Sequence, residues 1–154
     1  MADEREPALP VKEVRGQIHI PYRWSYGRAL TRFFEESRDH RRLMGTRCPL
    51  CAAVVVPAAR ICTRCYVEAT EWVEVSDHGV LATYTTVHLP FPGQPTEPPY
   101  TYGLILLDGA STYFAHLINE PVEHLACGLR VQAVWSEQRQ GDLFDILYFI
   151  KESE

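Results

Sequence analysis

Cys48-Pro49-Leu50-Cys51 and, after ten intervening residues, Cys62-Thr63-Arg64-Cys65 decide how the rest of this chain is read. Two Cys-x-x-Cys turns can bring four thiolates to the corners of a tetrahedron, with sulfur about 2.3 Å from a zinc ion and a short hairpin between the turns closing the site. Protein fills all four coordination positions, so none is left for a substrate or an activated water. The spacing therefore predicts a structural metal centre and not a catalytic one. Zinc is the expected ion. Iron in a rubredoxin-like centre would use the same ligands, and two disulfides would use the same residues. The cysteine loop is too small to bury much, so metal binding should supply most of its folding free energy. Arg47, Arg60 and Arg64 lie close in sequence and would offset the negative charge of a four-thiolate centre.

The compartment follows from what surrounds this motif. No stretch approaches the roughly 18 to 20 consecutive apolar residues needed to span a bilayer. Met1 to Glu13 is charged and proline-containing, unlike a signal peptide. A cytoplasmic protein without a membrane partner is expected, and reducing conditions there favour metal ligation over disulfides. With 154 residues, 46% hydrophobic and 23% charged, the chain suits one compact domain plus a small satellite. Its net charge of −5 is unevenly spread. Residues 1–65 carry 12 Lys and Arg against 7 Asp and Glu, and the remainder carries 3 against 13. The first part attracts phosphate-bearing ligands, whereas the second repels a polyanion such as DNA or RNA.

Upstream of the cysteines, residues 1–16 bury little and read as a flexible arm. Residues 17–45 form an aromatic and basic segment. Gln17 to Trp24 contains Pro21 and reads as an extended strip. Ser25 is a helix N-cap candidate, and Tyr26, Ala29, Leu30, Phe33, Phe34 and Ser37 then recur at three- and four-residue spacing, with the helix ending by Gly45. Arg28, Arg32, Arg38, Arg41 and Arg42 occupy the other face. They are either a solvated face or a site for an anion. The aromatic residues are either internal packing or anchors for a partner or a nucleotide-like ligand.

Downstream, with the zinc ribbon assigned to 46–70, residues 71–154 read as β structure. Strands are expected at Trp72 to Val87, taken as one long bent strand, and at Tyr102–Leu107, Thr112–Leu117, Arg130–Trp135 and Leu143–Ile150. A short helical turn between the third and fourth strands completes the order of a five-stranded OB-fold barrel, although a five-stranded sheet packed on the N-terminal helix fits the pattern nearly as well. A mainly β protein is thus expected: an N-terminal helix, a rubredoxin-like zinc ribbon and an OB-fold barrel. His88 to Thr101 holds five of the chain's 11 prolines, a stiff loop of the length that usually serves a function. Cys127, with His124 and His116 near it in sequence, reads as a small buried hydrophobe and not as a nucleophile. No catalytic constellation is recognisable.

The helix, the run Leu43-Met44-Gly45-Thr46-Arg47-Cys48-Pro49-Leu50-Cys51, the second knuckle, Gly79 to Val87, the loop ending in Pro99-Tyr100, and Gly128-Leu129-Arg130-Val131 together resemble one family. It is the zinc-ribbon OB-fold family of acyl-CoA enzyme-associated proteins, a domain-of-unknown-function family, and the resemblance covers about residues 17 to 150. The strip Ile20-Pro21-Tyr22-Arg23-Trp24 looks most like small subunits of degradative thiolases, such as the one acting on benzoylsuccinyl-CoA. Ala52 and Tyr66 depart from the pattern, standing where such knuckles often carry glycine. The resemblance implies a non-catalytic accessory subunit of a hetero-oligomer with a thiolase-fold large subunit, helping to enclose the coenzyme A arm of an acyl-CoA substrate. Coenzyme A carries a 3′-phosphate and a pyrophosphate, for which Arg28, Arg32, Arg41, Arg42 and Arg47 are the candidate ligands. Tyr22, Trp24, Phe33, Phe34 and, from the proline loop, Phe91 are the candidate partner anchors. A nucleic-acid-binding ribbon and OB-fold module is the rival reading. The barrel region, with only Arg130, Arg139 and Lys151 positive, speaks against it.

Overall fold

The computed structural model of the chain describes residues 21, 23–94 and 96–153. The arm expected at 1–16, the beginning of the strip at 17–20 and Tyr22 lie outside the described residues. Helix α1 spans Gly27–His40, entered where the Ser25 hydroxyl accepts the N–H of Gly27 at 3.1 Å. Its apolar face turns inward with Phe33, Phe34 and Ser37 buried. It stops ahead of Gly45 because Arg41 adopts a left-handed conformation, from which the N–H groups of Arg41 and Arg42 return to the carbonyls of Ser37 and Glu36. Gly45 serves a different end: a Cβ there would stand 2.6 Å from Val54 Cγ1, so only glycine lets the next strands close up.

Those strands are β1 (Leu43–Arg47), β2 (Val54–Val55) and β3 (Glu71–Val75), paired in the order β2-β1-β3. The expectation of one bent strand from Trp72 to Val87 is corrected here. Residues 71–75 pair antiparallel with β1, from Leu43↔Val75 to Arg47↔Glu71, so the ribbon's sheet draws in residues on both sides of 46–70. The Ser76 hydroxyl accepts the N–H of His78 at 3.0 Å, a local turn that ends β3 and starts β4.

Five strands follow: β4 (His78–Val87), β5 (Tyr100–Leu107), β6 (Phe114–Ile118), β7 (Arg130–Trp135) and β8 (Ile146–Lys151). They pair in the ring β4-β5-β6-β8-β7, with β7 returning to β4 and β6 meeting β8 through the single parallel pair Ile118↔Phe149. A 3-10 turn at Val122–His124 sits between the third and fourth of these strands, giving the OB-fold order the sequence predicted. Leu81, Ile105, Val131 and Phe149 fill the interior.

Helix, ribbon sheet and barrel share one apolar core. Phe33 lies 6.4 Å from the Phe114 ring, and Met44, Val54 and Val56 join the same cluster. Phe33 and Phe34, expected as partner anchors, are therefore internal packing, because the helix is pressed against the barrel by this face. The joint is also stitched by hydrogen bonds. Val54 donates to the Ser111 hydroxyl at 3.0 Å, Ser111 donates back to the Val54 carbonyl, and Val56 donates to the Thr112 hydroxyl at 2.8 Å. The segment between β5 and β6 thus satisfies the ribbon's edge strand.

Candidate metal centre and adjoining groove

The two cysteine turns repeat one backbone pattern. The Cys48 carbonyl accepts from Ala52 and its N–H reaches the Ala53 carbonyl; the Cys62 carbonyl accepts from Tyr66 and its N–H reaches the Val67 carbonyl. Ala52 and Tyr66, the two departures noted in the sequence, both take left-handed conformations with φ of 57° and 56°. Glycine would adopt that backbone without cost.

The four sulfurs lie within 4.8 Å of one another, and Cys51 Sγ is 3.8 Å from Cys62 Sγ. A tetrahedron with zinc–sulfur bonds of about 2.3 Å has edges of about 3.8 Å. The donor set, its number and its spacing therefore fit a structural zinc, and the cysteines form no disulfide. Backbone N–H groups of Cys51 and Leu50 lower the Cys48 thiol to about 7, while the Cys51 thiol beside it pushes Cys65 up to about 12. Four sulfurs so close cannot all ionise unless a cation sits among them, which is what a divalent metal provides. Cys48 and Cys62 are buried and Cys51 is exposed, so the centre lies at the ribbon's surface.

Beside it runs a groove of about 1290 Å³ between the N-terminal half of α1 and the ribbon. Arg28, Arg32, Arg60 and Trp72 line it together with the apolar Pro57 and Ala58. The Arg32 guanidinium carbon stands 4.2 Å over the Trp72 ring. The structure thus brings two of the five expected arginines into one groove and leaves three elsewhere. Arg42 is held between Glu36 at 2.8 Å and Glu74 at 3.7 Å, and Arg47 pairs with Glu71, its direct neighbour across the sheet, at 3.2 Å. Arg41 turns the chain after the helix. Sequence reasoning did not place Arg60 and Trp72 in this groove, because their approach depends on how the ribbon hairpin and β3 fold back on α1.

The remaining candidates separate by exposure. Trp24 is 68% exposed and meets Tyr26 edge to face at 5.0 Å. Phe91 is 55% exposed on the proline loop, where the Gln94 side chain accepts from the Phe91 N–H and donates to the Leu89 carbonyl. Cys127 is exposed, which corrects the expectation of a buried residue. It follows the short 3-10 turn and precedes Gly128, where the chain runs over the barrel's outside. His116 lies in the barrel interior against Phe114 and Phe149, with Nε2 3.0 Å from the Leu143 carbonyl and Nδ1 without a partner among the described residues. Burial lowers its pKa, favouring the neutral imidazole, and the same enclosure keeps the ring away from a substrate.

Residues 36–71 match the family described as ChsH2, rubredoxin-like zinc ribbon domain, and residues 72–136 match ChsH2, C-terminal OB-fold domain. The chain belongs to the ChsH2 zinc-ribbon OB-fold family. A DUF35 domain-containing scaffold protein of Methanocaldococcus jannaschii is 27% identical over 125 residues, which is 79% of this chain and 88% of that protein. Two solved structures share the fold. An Ltp2-ChsH2(DUF35) aldolase superposes with a TM-score of 0.63 at 24% identity, over 84% of this chain and 98% of that one. A DUF35-family protein of unknown function from Sulfolobus solfataricus superposes with a TM-score of 0.62 at 18% identity, over 82% and 87%. The expected zinc-ribbon and OB-fold family is thereby found, and among the described residues no helix is long and apolar enough to cross a membrane.

Proposed function

We propose that this ChsH2-family chain is a cytoplasmic, non-catalytic accessory subunit that holds an acyl-CoA enzyme of the thiolase type together and helps to enclose the coenzyme A arm. The observation that carries this reading is the groove beside the ribbon lined by Arg28, Arg32, Arg60 and Trp72, where the Arg32 guanidinium stacks on the Trp72 ring and Arg60, exposed, has Glu68 at 3.6 Å. Guanidinium groups grip phosphate oxygens in charge-assisted, often bidentate bonds, and an indole face suits a purine or an apolar arm. The remaining chemistry-bearing groups support a binding role. The metal ligands are all engaged at one closed site, and His116 is walled into the barrel. The names of the Methanocaldococcus scaffold protein and of the Ltp2-ChsH2 aldolase describe proteins that work as parts of assemblies, which favours the same role here.

In this reading Arg28 and Arg32 are the coenzyme A ligands, joined by Arg60, whereas Arg41, Arg42 and Arg47 are structural. The acyl chemistry belongs to the larger partner. The test is coenzyme A affinity of the assembled complex at low and moderate salt. Arg28→Ala with Arg32→Ala should weaken it by about 100-fold or more, as two charge-assisted contacts of about 1.5–3 kcal/mol each would require. Arg41→Ala should leave it within about twofold. Unchanged affinity in the first variant, or acyl-CoA turnover by the isolated chain that Cys127→Ala abolishes, would overturn the proposal.

A further inference from the structure

Antiparallel sheets that face water on one side alternate apolar residues inward with polar residues outward. Strand β5 breaks that rule. Its inward residues Thr101, Ile105 and Leu107 are buried, yet its outward residues are Tyr102, Leu104 and Leu106, with the two leucines 39% and 37% exposed. The cross-strand neighbours continue the pattern: Leu104 lies opposite Ala115 and Tyr102 opposite Leu117 on β6. On the β4 side the residues in register are Val80, Thr83 and Thr85. Tyr113, 56% exposed, extends the β6 edge. None of these positions carries a charge, and a contiguous uncharged sheet face of this kind on a soluble chain marks a surface built to be covered.

What covers it is indicated by charge. Beyond Cys65 the chain has 13 acidic and only 3 basic residues, and two of the basic ones are engaged. Arg130 binds Asp108 through two bonds of 2.8 Å and Glu152 through a third, and Arg139 donates to the Arg38 and Ser136 carbonyls. At one end of the face, Glu97 and Glu120 line a cleft of about 430 Å³ that Leu117 shares with the apolar strip. Glu120 already accepts the Lys151 N–H, which leaves Glu97 as the more available carboxylate. A second copy of this chain would bring one acidic surround against another, so self-association is disfavoured. A partner surface that is apolar at its centre and framed by Lys and Arg would complement both features.

We infer that the outward face of β5 and β6 is the docking surface for the large enzyme subunit, and that the subunit meets it with an apolar patch framed by basic residues. The inference rests on the accessory-subunit reading above, and it assigns the contact to the acidic barrel, away from the arginine groove. Leu104 and Leu106 are its central anchors, and Glu97 steers and orients.

The experiment starts by co-purifying the tagged full chain from its own cells, identifying the accompanying acyl-CoA enzyme subunit by mass spectrometry and preparing that subunit separately as the probe. Leu104→Arg with Leu106→Arg should raise its dissociation constant by about 100-fold or more, whereas Leu104→Met with Leu106→Met should stay within about threefold. Glu97→Lys should weaken binding by about five- to tenfold at low salt, and the difference should shrink at high salt. Unaltered zinc content and melting midpoint in each variant show that the outward substitutions have not unfolded the barrel. Equal binding by wild type and the arginine pair sinks the inference but leaves the accessory-subunit reading standing. If no acyl-CoA enzyme subunit accompanies the wild-type chain, both fall together. A dimer in sedimentation that Leu104→Arg dissociates would give the face to a second copy, and binding that emerges only after residues 1–16 are deleted would give it to the chain's own N-terminus. Either result overturns the assignment.

Discussion

The ribbon and the barrel are held together by different means although they lean on a common core. In the barrel, Leu81, Ile105, Val131 and Phe149 are wholly enclosed, and burial of large apolar side chains provides the stability. In the ribbon, the segment around β2 turns Val54 and Val56 toward that same core, but at the two turns the enclosed residues are the ligands Cys48 and Cys62. Leu50 and Tyr66, the large side chains there, are 71% and 81% exposed. A hairpin that small has no interior of its own. Metal bonds substitute for one, and apolar packing is reserved for the side of the ribbon that meets the barrel.

The most severe way to break this comparison is to remove a buried ligand. Cys62→Ser should forfeit most of the roughly 10–16 kcal/mol that a structural zinc supplies. Elemental analysis should find zinc lost, and hydrogen exchange should show unprotected amides at Cys48, Cys62 and Tyr66 while β4 to β8 stay protected. Full zinc retention in this variant would show that three ligands suffice and that the ribbon does not depend on the fourth.

Phe33→Ala tests the opposite means of cohesion. It empties a site against Phe34 and Phe114 at the seam of helix and barrel, and such truncations cost about 3–5 kcal/mol. The thermal midpoint should fall while zinc content stays at one per chain. A midpoint within a degree or two of wild type, with loss of the partner instead, would restore Phe33 to the interface where the sequence placed it.

Legibility in the sequence follows the range of the interaction concerned. The metal site was legible because Cys-x-x-Cys is a local turn whose geometry is contained in four residues. The order of the five barrel strands was legible because alternation and turn residues are also local. What could not be read was which strand pairs with which. Glu71–Val75 alternates as a barrel strand would, and only contact with Leu43–Arg47, some thirty residues earlier, assigns it to the ribbon's sheet. The same limit split the arginines. Arg42 and Arg47 look like Arg28 in sequence, but Glu74 and Glu71 reach the first two only through that pairing. Phe33 and Phe34 were recognisable as one helical face, yet a buried face and a docking face carry the same residues. Exposed Leu104 and Leu106 lie within an apolar run that in sequence suits a strand buried on both sides.

The smallest effect sharpens the comparison inside the ribbon itself. Ala52 and Tyr66 hold left-handed backbone at equivalent places in the two turns, a conformation that costs an L-residue about 1–2 kcal/mol. Replacing either by glycine removes that strain, though it gives back about 0.5–1 kcal/mol in unfolded-chain entropy. Neither side chain is needed where it stands, since both positions are exposed. Each of Ala52→Gly and Tyr66→Gly should therefore gain about 0.5–1 kcal/mol, which is about a two- to fivefold tighter hold on zinc in competition with a chelator. Because the gain is confined to residues whose stability is metal stability, the barrel's melting midpoint in excess zinc should stay where it is. Weaker zinc retention in both variants would mean that the left-handed turns are not the strained element, and that the two knuckles are shaped by their ligands alone.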